Sequence, residues 1–525
     1  MQKYSPAGSE KERPTLSRLD VLCAILSGIM LTASFPPGKL QWMAWFALVP
    51  LLKSLKNGLP SLNFRLGFIA GISHYLTLIY WIVEVLGRYG NLNTFVSFIP
   101  LLLLCLYLSL FPAFFAALTT LLRDSRFFLL LMSSSWVGLE YLRAKLLTGF
   151  PWCLLGYTQY DYPHLIQIAD LGGVYGVSFL IVLINGLVYR CLFQSHERRR
   201  RFLEWESLIT VLLLGGTLLY GQYRLSYERT GKAHRQWVKA LIVQGNIDQS
   251  IKWSPGYQSE TMRIYQDLSR AVYDFNGNLI IWPETSVPFF FQDEVRFWPQ
   301  LFSLTKKSGA VLVFGSPAYK QIGGKTKYYN RAFLMTPEGE PPKYYDKVHL
   351  VPFGEYIPLK KILFFLNRLV PAAGDFEAGD KIAPLNHRDL SLGILICFEA
   401  IFPELSRAHT RSGAHILVNL TNDAWFGMTS APYQHLSMAV FRAVENRRPM
   451  IRAANTGFSA FIRPTGEIVA LSGLFSQEVL RSSVPIGESP LTFYTLFGDV
   501  FTFSVMVISL IKILSSLWHR RIDTR

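Results

Sequence analysis

Three polar residues stand where apolar runs stop: Glu284 ends LIIWPE, Lys347 closes KYYDK and Cys397 ends LGILIC. A carboxylate can accept a thiol proton, a thiolate can attack a carbonyl carbon, and an ammonium can steady the oxyanion that forms. Four of the five cysteines, Cys23, Cys105, Cys153 and Cys191, fall in or beside strongly apolar runs, where a free thiol serves as a small hydrophobe. Cys397 alone lies in the more polar part of the chain, so it has no disulfide partner there and is either buried filler or a reactive group. Taken singly, a Glu or Lys at a strand end is usually a solvated charge and a Cys in an apolar strand is usually packing. The flanking sequence decides between these readings.

Placing three such groups together requires a scaffold of strands. Strand patterns occupy 238–247, 278–285, 310–318, 330–336, 391–399, 415–423 and 450–457, with helical patterns at about 258–275, 295–308, 402–412 and 432–447. Apolar, β-branched strands with helices between them predict an α/β domain whose sheet is covered by helices, and in such sheets chemistry gathers at strand ends.

The rest of the chain sets where this domain works. The 525 residues carry 52 Lys plus Arg against 36 Asp plus Glu, a formal charge of 52 − 36 = +16, with 50% apolar and 17% charged residues. Together with a mean hydropathy of +0.25 this argues against a wholly soluble protein and against a disordered one. Apolar runs crowd Leu22 to Tyr223 and return from Leu491 to Leu517. About eight spans are expected, near 20–36, 40–56, 64–86, 94–122, 126–144, 164–193, 207–223 and 491–517. The first run resembles a signal peptide, but a second follows at once and an uncleaved anchor is the better reading.

Orientation follows from Lys and Arg in the short loops. With the N-terminus cytoplasmic, the inside receives Lys3, Lys11, Arg13, Arg18, Lys53, Lys56, Arg65, Arg123, Arg126, the run Arg198 to Arg201, Arg520, Arg521 and Arg525; the outside holds mainly Lys39, Arg88, Arg143 and Lys145. The expected organisation is seven transmembrane helices in residues 1–235, a periplasmic catalytic domain in 236–490, and a closing helix with a short cytoplasmic tail in 491–525. The basic pI near 9.5 then reflects orientation and lipid contact, and no base-reading motif points to nucleic acid.

Other chemistries find little support. GKT at 324–326 ends like a phosphate-binding loop, but Tyr319 stands where that motif needs its first Gly. His349, His387, His409, His415 and His435 lack metal-binding spacing, and no GxSxG elbow is present. Glu84, Glu140, Asp170, Asp499 and Lys512, inside or at the ends of spans, are read as structural.

WPET at 282–285, KVHLVPFGEYIP at 347–358, ICFEAIFPEL at 396–405, NLTNDAWFG at 419–427 and RPMIRAANTGFS at 448–459 closely resemble the nitrilase superfamily, specifically the apolipoprotein N-acyltransferases of bacterial inner membranes. FPWCLLGYTQ (150–159) and QIADLGGVYGVSFL (167–180) extend the likeness into the membrane block. The resemblance implies a membrane α-helical bundle of eight transmembrane helices carrying an αββα sandwich, with a Glu284, Lys347, Cys397 triad. It implies transfer of the sn-1 acyl chain of a phospholipid, typically phosphatidylethanolamine, through a thioester on Cys397 to the α-amine of the diacylglyceryl-cysteine of apolipoproteins. Neither metal nor organic cofactor is implied, and a monomer is expected.

The same likeness gives Glu355 and Glu399 supporting places, Glu399 most simply in an ion pair behind the nucleophile. It places Trp253, Trp425 and Phe426 near the mouth of the site as substrate contacts; a Trp in such a domain is otherwise plain core. Phe353, Tyr356, Phe364 and Phe365 form an aromatic stretch suited to a lid at the bilayer surface. Phe398 stands where the family often has Tyr, and Ala431–Pro432 where Gly-Pro is usual. The rival readings are a membrane-anchored amidase of the same superfamily and a transporter or scaffold with a ligand-binding outer domain.

Overall fold

The computed structural model describes residues 15–90, 92–193, 196–229, 236–357, 376–487 and 490–523. Twelve strands lie in the segment between the apolar blocks: β1 (Gln236–Gln244), β2 (Leu279–Ile281), β3 (Val311–Ile322), β4 (Lys325–Met335), β5 (Lys343–Asp346), β6 (Leu385–His387), β7 (Leu390–Ile396), β8 (Ile416–Thr421), β9 (Met450–Ala454), β10 (Ala460–Ile462), β11 (Ile468–Leu471) and β12 (Glu478–Ile486). They form two six-stranded sheets, in the orders β12-β1-β2-β3-β4-β5 and β11-β10-β9-β8-β7-β6. In each sheet three neighbouring strands run parallel, β1-β2-β3 in one and β7-β8-β9 in the other, with antiparallel strands flanking them.

Alternation along the strands builds the layers. Ala240, Ile242, Leu279, Ile281, Val311 and Val313 face Leu392, Ile394, Ile396, Ile416, Val418 and Leu420 across the inter-sheet core. The intervening Leu241, Val243, Ile280, Leu312 and Phe314 pack on the Pro255–Ser269 and Trp298–Ser308 helices. On the far side, the Pro403–Arg411 and Ala431–Asn446 helices cover the second sheet, and their core is continuous with that of the membrane block, joining Leu417, Val440 and Val444 to Trp152, Ala169 and Val174. The result is an αββα sandwich with one helical layer shared with the apolar bundle.

Among the described residues four helices are long and apolar enough to cross a membrane: Thr94–Leu122, Ala169–Phe193, Trp205–Glu228 and Val500–Trp518. A fifth arises if Pro60–Leu78 and Trp81–Gly90, bent by 49°, count as one broken span. Phe503, Val507, Ile511 and Leu514 of the last helix are exposed, an apolar surface suited to lipid contact. Close packing inside the bundle needs small residues: a Cβ at Gly67 would lie 2.3 Å from the Pro112 carbonyl oxygen of the Thr94–Leu122 helix. The expected spans at 20–36 and 126–144 are helices Arg18–Ala33 and Phe128–Lys145.

The 40–56 stretch differs from a single span. It forms a 3₁₀ helix at Gln41–Trp45 and a short α-helix at Val49–Ser54. The free backbone groups between them are met by side chains: Leu48 N–H donates to Asn185 Oδ1 at 2.8 Å, Asn185 Nδ2 donates to the Ala44 carbonyl at 2.8 Å, and Ser27 Oγ donates to the Ala47 carbonyl at 2.6 Å. Irregular backbone is tolerated in an apolar bundle only where protein groups satisfy it in this way.

Candidate active site

Each member of the expected triad sits just past a strand. Glu284 follows β2, whose register is extended when Trp282 N–H donates to the Val313 carbonyl at 2.8 Å. Gly315 on β3 makes room, since a Cβ there would stand 2.5 Å from the Thr285 nitrogen. Lys347 follows β5, its N–H donating to the Asn330 carbonyl of β4 at 2.9 Å. Cys397 opens the 3₁₀ turn after β7 with φ +52°, a left-handed conformation unusual for a residue with a side chain. A strand that stops in such a turn pushes the thiol out of the sheet, and Cys397 is part-exposed where its neighbours Ile396 and Glu399 are buried.

The charges between these turns are tightly arranged. Lys347 Nζ lies 2.9 Å from Glu355 and 4.0 Å from Glu284 Oε1. Asn330 Nδ2 donates to both carboxylates, at 2.7 Å to Glu284 Oε1 and 3.0 Å to Glu355 Oε1. Glu355 is itself fixed by the Val351 N–H at 2.9 Å. Glu284 Oε2 is buried with no hydrogen-bond partner among the described residues, which leaves one oxygen of this carboxylate free to take a proton.

Proton affinities follow from this burial. Desolvation raises the Glu284 carboxyl above its ordinary value, with the Lys347 ammonium pulling the other way. Burial also opposes the charge on Lys347, yet Glu355 and then Glu284 outweigh it and hold the ammonium firmly protonated. Burial, and next the Glu284 charge, raise the Cys397 thiol well above its ordinary value, against the pull of Lys347. The resting pair is therefore a neutral thiol beside a carboxylate of raised basicity, both in the field of one fixed cation.

Glu399 does not form the expected ion pair. Its carboxylate is completely buried and accepts from the Ile396 N–H at 2.7 Å, the Val348 N–H at 2.7 Å, the His349 N–H at 3.0 Å and the Tyr345 hydroxyl at 3.1 Å. It buckles the Cys397 turn to the Lys347 loop, and burial lifts its carboxyl to about 7 against those N–H groups and Lys347. The sequence likeness placed it beside the nucleophile, but only the folded chain brings the second loop to it.

The aromatic candidates divide. Trp425 packs edge-on to Tyr89 of the Trp81–Gly90 helix, with ring centroids 4.7 Å apart, and Tyr89 donates to the Ala424 carbonyl at 2.9 Å. Phe426 lies against Trp81 at 5.0 Å and Trp152 at 5.8 Å. Both residues thus dock the sandwich on the bundle. Trp253 is 44% exposed and Phe353 47%, as a surface that meets substrate or lipid requires. Phe364 and Phe365 lie outside the described residues. Phe398 stacks edge-on with Phe402 at 5.2 Å, so aromatic packing fills the position usually taken by Tyr.

Other participants were given no role by the sequence, although Asn419, Asp423 and Arg452 lie within the strings that carry the resemblance. Asn330 sits in an ordinary strand pattern, and nothing local marks it as the bridge between two carboxylates. Behind Cys397 a buried network joins Arg452 to Asp423 Oδ2 at 2.7 Å, Asp423 Oδ1 to His435 Nδ1 at 3.1 Å, and Asn419 Nδ2 to the Cys397 carbonyl at 3.3 Å. Arg452 also bonds Asn419. Burial opposes the Asp423 charge, but Arg452 and then His435 hold its carboxyl well below the usual range. Lys252, in the turn after β1, has nothing in the sequence to set it apart from its neighbour Trp253; it is fully buried next to Glu284.

Comparison with known proteins covers most of the chain. Residues 27–187 match the family described as the apolipoprotein N-acyltransferase N-terminal domain, and residues 239–489 match carbon-nitrogen hydrolase. The chain is 47% identical over 494 residues to the apolipoprotein N-acyltransferase of Geobacter metallireducens, covering 93% of this chain and 94% of that one. It is 34% identical over 491 residues to that of Methylococcus capsulatus, covering 91% and 92%. Among solved structures, Saccharomyces cerevisiae Nit3, a member of branch 10 of the nitrilase superfamily, aligns with 20% identity and a TM-score of 0.37 over 47% of this chain and 90% of its own.

Proposed function

Since the chain belongs to the apolipoprotein N-acyltransferase family, we propose that Glu284, Lys347 and Cys397 carry the transfer as a two-step relay. The protein is an acyltransferase of lipoprotein N-acylation with a nitrilase-like α/β domain, and its substrates are a phospholipid and a lipoprotein.

In the first step the free Oε2 of Glu284 takes the Cys397 proton as sulfur attacks the sn-1 ester carbonyl of the donor. Lys347 and a backbone N–H of the Cys397 turn stabilise the tetrahedral oxyanion. The ester C–O bond breaks, the departing lysophospholipid oxygen recovers the proton from Glu284, and a thioester remains. In the second step the α-amine of the diacylglyceryl-cysteine attacks the thioester carbon while Glu284 accepts its proton. The C–S bond breaks, the proton returns to sulfur, and the amide leaves. A thioester is activated toward amines where the original ester is sluggish, which is the gain from splitting the reaction.

Phosphatidylethanolamine is the donor in this reading and the enzyme acts as a monomer. Residues 1–235 and 491–525 form about eight crossings, the broken 40–56 segment among them, and 236–490 faces the periplasm of the inner membrane. Support comes from the distribution of charge. Lys53, Lys56 and Arg123 gather at one end of the bundle, where Lys56 meets Asp20 at 2.8 Å and Arg123 meets the Leu55 carbonyl at 3.2 Å. The sandwich meets the other end, where Lys145 pairs with Glu404 at 2.6 Å. In this reading the exposed Trp253 meets the acyl chain, and Trp425 and Phe426 hold the mouth of the site against the bundle.

The observation that carries the mechanism is the left-handed turn at Cys397 in the shared field of Glu284 and Lys347. Incubation with phospholipid alone is expected to add one acyl mass to the wild type and none to Cys397→Ala. Addition of a diacylated lipopeptide should discharge that mass as N-acyl lipopeptide. Release of free fatty acid with no N-acyl product would favour the amidase reading instead.

A further inference from the structure

Lys252 is 0% exposed. Its Nζ donates to Thr285 Oγ1 at 2.7 Å and reaches the Glu284 carbonyl oxygen at 3.5 Å, and its other close neighbour is the Trp253 ring, 6.0 Å from centroid to Nζ. No carboxylate lies within ion-pair distance of it among the described residues. Burying an ammonium without a counter-ion is costly, and a neutral side chain of the same length would fill the space at less cost. The location gives the charge a use. Thr285 is held in the left-handed region at φ +47°, so the turn that presents Glu284 is one the backbone does not adopt unaided.

We propose that Lys252 is a positioning residue of the acyl transfer: it holds the Glu284–Thr285 turn and lends the positive field that keeps the buried Glu284 carboxylate ionised until it accepts the thiol proton. This rests on the reading of Glu284 as the base. The groups facing Glu284 are Lys347 at 4.0 Å, Asn330 at 2.7 Å and Glu355, which Asn330 bridges to it, besides Cys397 and Lys252. Lys347 is already engaged by Glu355 at 2.9 Å, so its charge is shared between two carboxylates. Lys252 supplies a second cation, at the backbone carbonyl of Glu284 and the Thr285 hydroxyl rather than at the carboxylate. Burial takes its ammonium down to about 7, opposed by the Glu284 charge, and burial raises the Glu284 carboxyl, opposed in part by Lys252, so each group favours the charged form of the other.

The test uses the full-length enzyme in phosphatidylethanolamine-containing micelles, following acyl-enzyme mass in single turnover as a function of pH. Wild type, Cys397→Ala, Lys252→Met and Thr285→Val are compared. Removing the cation should move the acid limb of the first half-reaction to higher pH by about one unit, a tenfold loss on the acid side. Thr285→Val, which removes the anchor of the ammonium, should move it in the same direction by less. Folded Lys252→Met with the wild-type acid limb overturns the proposal. Should that variant not fold, an unmoved limb in Thr285→Val does the same. A wild type that forms no acyl-enzyme takes down the reading of the triad itself, which separates the two failures.

Discussion

At the scale of single residues, the site depends on carboxylates doing different work. Glu284 keeps an oxygen free, whereas both oxygens of Glu399 are consumed by backbone N–H groups and a hydroxyl. Glu399→Gln turns one of those acceptors into a donor that faces an N–H in a dry interior, a loss of about 1–3 kcal/mol. A melting temperature lower by several degrees, together with a strongly reduced kcat, is the expected outcome in thermal unfolding and acyl-transfer assays. Lys252 has the opposite balance between stability and activity. Its folded value of about 7 lies below the 10.5 of an exposed lysine, so between those values the unfolded chain binds more protons and stability rises with pH. Lys252→Met should flatten that rise and raise the melting temperature at neutral pH while it impairs acylation. The thiol, the Glu and the Lys of the proposed triad stand out in the sequence because Cys397 has no competitor between residues 236 and 490 and its neighbours are characteristic. Asn330 and Lys252 were not, because their roles exist only where side chains from separate strands converge.

At the scale of elements, the central strands announced themselves and the outer ones did not. Continuous apolar runs such as LIIW and ILVNL mark strands buried on both faces; β2, β8 and β9 lie inside the expected windows, and β1, β3, β4 and β7 overlap theirs but begin earlier or run later. β5, β6, β10, β11 and β12 are short or flank the sheets with mixed polar faces, a pattern that resembles loop until a partner strand is supplied. Expected strands also ran long at their ends, for 397–399 is a 3₁₀ turn. In the bundle, hydropathy alone turned 40–56 into one span, since it takes no account of which backbone groups a neighbouring side chain satisfies. Asn185→Ala removes that support from Ala44 and Leu48 at once. A stability loss of about 1–3 kcal/mol is expected in detergent-solubilised protein, with acyl transfer per folded molecule little changed.

At the scale of the whole molecule, the boundary near residue 236 was clear from charge and apolarity, but the way the parts join was not. The joint is dry and ionic together. Arg447 meets Asp170 at 2.7 Å, Arg442 pairs with Glu445 at 2.8 Å, and the Glu445 carboxylate accepts the Val174 N–H at 3.2 Å, all buried. Residues 236–490 expressed alone would leave those charges and the apolar face of the Ala431–Asn446 helix in water. Such a fragment is expected to aggregate, which size-exclusion chromatography would reveal; a soluble monodisperse fragment would contradict the shared core. Because one helix is a wall of both the sandwich and the bundle, the Cys397 sulfur is pinned at a set height relative to the bundle. On the proposed relay, fatty substrates would have to bring their carbonyls to that altitude, so lipids of unusual length or tilt would be sorted by depth before any bond is made.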